Sequence, residues 1–137
     1  MNPEFEHEKL TDETKTLLKN LSKAMLRLHK TLLDAAKADY EAKNGAVTNV
    51  NHYFQLVLDD PHFAWLRKLS SLIALIDEAV SVRRPATETE ARGIFNETKV
   101  LLNFQAADED FNANFQNALQ NNTNAVLSYN DALGFAN

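Results

Sequence analysis

The sequence has no cysteine and only three glycines and three prolines among its 137 residues. Without cysteine there can be no disulfide framework, thiolate metal site or cysteine nucleophile, and a reducing, cytoplasmic location is the expectation that follows. Sheets and sandwiches need frequent turn residues, so the scarcity of glycine and proline favours long helices. No apolar stretch approaches the roughly 20 residues of a membrane span, and no membrane partner is expected. At the N-terminus Glu4, Glu6 and Glu8 stand where a secretory signal would carry a basic region and an apolar core. A Gly-rich phosphate loop, a Gly-x-Ser-x-Gly elbow and a His-Glu-x-x-His run are all missing, and Gly45, Gly93 and Gly134 are isolated.

What is there suits one packed domain. Hydrophobic residues make up 45% and charged residues 24% of the chain, close to the globular average. The length allows one core and is short for two. The expected organisation is a flexible tail over residues 1–10 and a single helical-bundle domain over 11–137. The expected fold class is all-α: an antiparallel four-helix-type bundle with a short extra helix between the first and second long helices.

Apolar periodicity and capping residues outline the segments. Thr11 can cap a first helix that runs from about Asp12 to Lys43 and stops at Asn44-Gly45. Its apolar face is Leu17, Leu21, Ala24, Leu28, Leu32 and Ala35, widened by His29, Leu33, Ala36 and Tyr40. A short helix from Val50 to Asp59 is expected to cover that second row with Val50, Phe54 and Val57. Asp60 and Pro61 open a third segment reaching about Val82, whose broad apolar face marks it as the central helix of the bundle. Thr87 and Glu90 fit a capping box for a fourth helix ending near Ala107. The Asp108-Glu109-Asp110 cluster opens a fifth.

The runs Leu28-His29-Lys30-Thr31-Leu32-Leu33-Asp34 and Phe54-Gln55-Leu56-Val57-Leu58-Asp59-Asp60-Pro61-His62-Phe63-Ala64-Trp65-Leu66-Arg67 carry a resemblance. With Leu69, Leu72, Ile73, Asp77 and the Phe111 to Leu119 segment, they resemble a family of short, all-helical bacterial proteins of unknown function. The chain departs from that pattern at Lys68, where the family carries a proline. The resemblance implies a helical bacterial protein and no chemistry.

No catalytic, cofactor-binding or metal residue is assigned from the sequence. A bundle metal site would use Glu-x-x-His pairs on two helices, and here that spacing occurs once, Glu4 to His7, in the expected tail. His62, in the first turn of the third segment, is expected to be exposed. Lys15, Lys19, Lys23, Arg27, Lys30 and Lys37 line one side of the first helix over about 33 Å. With a net charge of −5, a solvated face is the simpler reading and nucleic acid is not an expected partner. From Phe111 to Asn130 there is no charge, and the outward positions are mostly amides, as suits either a subunit interface or an ordinary exposed face.

Two function classes follow. The first is a non-enzymatic interaction module that pairs with an unknown protein or with itself. A second apolar stripe on the fourth helix, Val100, Phe104 and Ala107, would be its homodimer surface unless the fifth helix covers it. The alternative is a small-molecule binder or enzyme with a pocket between the first three helices, lined by His29, Tyr40, Trp65 and Arg67. For His29 and Arg67 a structural role is the simpler expectation, His29 as a hydrogen-bonded imidazole and Arg67 paired with an Asp or laid against an aromatic face.

Overall fold

A computed structural model describes residues 9–137. Most of the expected tail, and the Glu4–His7 spacing with it, lies outside the described residues. Lys9 and Leu10 lie inside: Lys9 forms an isolated antiparallel bridge with Thr87, and Leu10 packs against the core. The fold is all-α, with seven helices and no strand among the described residues. They are α1 (Asp12–Asn44), α2 (Val50–Asp59), α3 (Pro61–Ala64), α4 (Arg67–Ala79), α5 (Glu88–Leu102), α6 (Glu109–Gln120) and α7 (Thr123–Ala136).

Helix starts follow side-chain chemistry closely. Thr11, Asn49, Asp60, Thr87, Asp108 and Asn122 each accept a backbone N–H from the first turn of the helix they open. Each such bond satisfies a donor the helix cannot use. The chain leaves α1 through Gly45 at φ 89°, a left-handed backbone that favours glycine. Glu88 turns away from its own helix: its Oε1 accepts from Thr11 N at 3.0 Å and Thr14 Oγ1 at 2.9 Å, pinning the start of α5 to the start of α1.

Two expected long helices are divided. The third breaks at Trp65-Leu66, where Leu66 N donates to Phe63 O and Leu69 N to Leu66 O, a tightened turn between α3 and α4. It then stops at Ala79, before the arginines. The fifth breaks at Asn121, with Asn122 capping α7.

The centre of the molecule is α1, and this corrects the expectation that the third segment would be central. A 33-residue helix is about 50 Å long, enough to pack against α3, α4, α5 and, most extensively, α7. Its buried row is Leu18, Leu21, Ala24, Met25, Leu28 and Leu32, while Leu17 faces water. From α7 the buried residues are Ala125, Ala132 and Ala136, side chains small enough to let the two helix axes approach. Ser22 Oγ donates to Asp77 Oδ1 at 2.6 Å, a polar tie between α1 and α4.

At the far end of α1, α2 and α3 fold back as an aromatic cap. Phe63 is buried against Tyr40, Tyr53 and His62, with ring centroids 5.8, 6.2 and 5.0 Å away. The covering residues of α2 are Tyr53, Leu56 and Val57. Val50 and Phe54, expected in that role, point outward.

Candidate functional site

The residues singled out from the sequence do not converge on one pocket. Tyr40 sits in the aromatic cap. His29 is half-buried on α1, and burial pushes its imidazole below the ordinary value of 6.5. Trp65 and Arg67 flank the break between α3 and α4, so they open onto different clefts.

The first cleft lies between α4 and α5 and has a volume of about 490 Å³. Leu72 and Leu75 from α4, Val100 and Leu101 from α5, and Ala106 and Ala107 from the following connection make it largely apolar. Arg67, Lys68, Ser71 and Glu97 supply its polar groups. Lys68 Nζ lies 3.7 Å from Asp108 Oδ2, spanning from α4 to the end of the α5–α6 connection. The Arg67 guanidinium donates to Leu58 O in the last turn of α2, so its partner is a backbone carbonyl rather than a carboxylate.

Val100, Phe104 and Ala107 do not form a helical stripe, because α5 ends at Leu102. Gln105 N donates to Val100 O and Phe104 N to Leu101 O, a Schellman stop with Phe104 in its left-handed position at φ 59°. The Phe104 ring turns inward, 5.3 Å from Phe115 and 6.0 Å from Tyr129. Tyr129 Oη in turn donates to Leu102 O at 2.7 Å, satisfying a carbonyl at the helix end. The covered alternative therefore holds for Phe104, while Val100 and Ala107 face the cleft.

The second cleft, about 350 Å³, lies between the last turns of α1, the α3 segment and the amide-rich side of α6. Trp65 forms part of its wall and is braced by Phe111 at 6.1 Å. Here His62 takes the place expected of His29. Its Nε2–H donates to Ala36 O at 2.7 Å, and its ring lies 5.8 Å from that of Tyr40. His62 is thus half-buried and held, which corrects the expectation of an exposed side chain. A carbonyl can only accept, so the bond requires a proton on Nε2.

The most exposed apolar surface on any of these elements belongs to α2. Val50, Phe54 and Leu58 recur at four-residue spacing with 77%, 65% and 55% of their surface in water. They form one row on the side away from Phe63. The expected covering face, Val50, Phe54 and Val57, is thereby corrected: only Val57 packs inward, and Val50 and Phe54 join Leu58 on the outer side.

On the basic side of α1, Lys30 pairs with Asp34 at 2.9 Å. Lys37 pairs with Glu41 at 3.5 Å and lies 5.3 Å from the centre of the Tyr53 ring. Part of the stripe is therefore engaged within the chain. Among the described residues no group of three or more His, Asp or Glu side chains is placed to hold a metal ion, and no helix is long and apolar enough to cross a membrane.

No family model, curated protein or solved structure matches the chain. Function rests on the surfaces themselves.

Proposed function

We propose that the chain is a non-enzymatic helical interaction module that self-associates, with α2 of one copy seated in the α4–α5 cleft of a second. The observation that carries this reading is the outward row Val50, Phe54 and Leu58. Contiguous apolar surface of this kind marks interaction sites, and burying it contributes about 25 cal/mol per Å².

The cleft complements the row in apolar character and in charge. Its lining is largely aliphatic and its two cations, Arg67 and Lys68, outnumber its one carboxylate, Glu97, whereas α2 carries no Lys or Arg and ends at Asp59-Asp60. Arg67 bonded to Leu58 O also sets the cleft beside the end of α2 within one copy. Row and cleft are then neighbours, and a two-fold pair uses each of them twice. Using them twice matters, because three side chains alone fall well short of the ~800 Å² per partner of a standard interface. Val100 and Ala107 keep their place in the association surface, and Phe104 leaves it. The resemblance to a helical bacterial family adds no activity and is compatible with a binding role.

Light scattering coupled to size exclusion tests the reading. Wild type is expected to elute as a dimer, and Phe54→Glu as a monomer with unchanged helical circular dichroism. A wild type that stays monomeric at high concentration, or a dimer indifferent to Phe54→Glu, refutes it.

A further inference from the structure

The second cleft differs from the first in being polar, and its hydrogen-bonding groups can be assigned atom by atom. Asn114 Nδ2 donates to Asp110 O at 2.8 Å and Asn121 Nδ2 to Asn117 O at 2.9 Å. Backbone carbonyls accept only, so the orientation of both amides is settled and their Oδ1 atoms remain as acceptors. Asn121 Nδ2 also reaches Asn117 Oδ1 at 3.2 Å, which leaves Asn117 with its Nδ2 donor. Asn122 uses Oδ1 to cap α7 through Ala125 N at 3.1 Å, and it too keeps a donor. Across the cleft, α1 contributes Asp39, an acceptor, and Lys43, a donor. Neither forms an ion pair among the described residues.

Donors and acceptors are therefore interspersed, the formal charges of Asp39 and Lys43 cancel, and an indole forms part of the wall. An anion would meet Asp39 and two amide oxygens. A cation would meet Lys43 and two amide N–H groups. A ligand whose every polar group both donates and accepts, and which has an apolar face for Trp65, satisfies the whole set. We infer that this cleft binds a neutral sugar, with the ring laid against Trp65 and its hydroxyls shared between Asp39 and the α6 amides. A volume of about 350 Å³ sits at the small end of ligand cavities and suits one or two sugar rings. The site is separate from the association surface, which lies on α2, α4 and α5.

Trp65 is the single tryptophan of the chain, so intrinsic fluorescence reports on this cleft alone. Fluorescence titration, with calorimetry in parallel, would use glucose, galactose, mannose, N-acetylglucosamine, maltose and lactose, with glucose 6-phosphate, spermidine and adenosine as contrasts. Saturable binding of at least one neutral sugar at millimolar concentration or below is expected. Asn117→Leu and Asp39→Leu, both at exposed positions, should each weaken it by roughly tenfold or more. Phe54→Glu should leave it unchanged. Two variants keep the test open if one fails to fold. Binding of none of the sugars, binding only of the phosphate, the polyamine or the nucleoside, or undiminished affinity in both variants overturns the inference.

Discussion

Phe104 places backbone and side chain in opposition. A left-handed conformation costs a residue with a Cβ roughly 1–2 kcal/mol, and at φ 59° Phe104 bears it where glycine is usual. The ring's contacts with Phe115 and Tyr129 offset that strain. Truncating a fully buried Phe costs about 3–5 kcal/mol; for this half-buried ring, with strain relieved, Phe104→Gly should destabilise by about 2 kcal/mol. A urea midpoint below wild type is the expected readout, and a higher one would show that strain outweighs packing. His29 gives a pH prediction. Burial holds its folded-state pKa below the ordinary 6.5, so the unfolded chain takes up the proton first. Its contribution is complete above about pH 6.5 and declines as pH falls through the lower folded value. His29→Gln should flatten that part of the stability profile. Two glutamates act in a lower window, each contributing above its ordinary 4.5 and losing the contribution as pH falls through its depressed folded value. Glu41 is held down chiefly by the Val47 backbone N–H and Glu88 chiefly by that of Thr11.

Helix starts were legible in the sequence because capping is local chemistry: Thr11, Asp60 with Pro61, Thr87 and Asp108 all open helices where they were expected to. Helix ends were less so. The stop after Leu102 has neither glycine nor proline, since tertiary packing of the Phe104 ring supplies what a glycine would have given for free. The break at Asn121 is likewise unmarked by a strong breaker, and Asn122 acts as a cap only because the chain turns there. That cap can be tested alone. Asn122→Ala removes the bond to Ala125 N and should cost about 1 kcal/mol, with faster hydrogen exchange in the first turn of α7. Unchanged exchange would show that packing against α1 holds α7 without its cap.

At the scale of the whole molecule, α1 is the element around which α3, α4, α5 and α7 gather. A broad apolar face on the third segment suggested a different centre, but breadth also arises when a segment bends and offers different sides to different neighbours. The same bend separates Trp65 from Arg67, which adjacency in sequence had placed in one pocket. Half of each cleft was thus readable, as residue types with binding chemistry. Their partners across the clefts, Glu97 in one and Asn114 and Asn117 in the other, depend on distant elements that periodicity cannot position.

Self-association through α2 and the α4–α5 cleft is tested most directly by mixing two monomeric variants. Phe54→Glu spoils the row and Val100→Lys spoils the cleft, so neither variant should pair with itself. In an equimolar mixture one intact row meets one intact cleft, and at the second contact the introduced carboxylate meets the introduced ammonium. Light scattering should then detect heterodimer in the mixture and in neither component alone. A mixture as monomeric as its parts, measured where wild type is dimeric, would contradict the account.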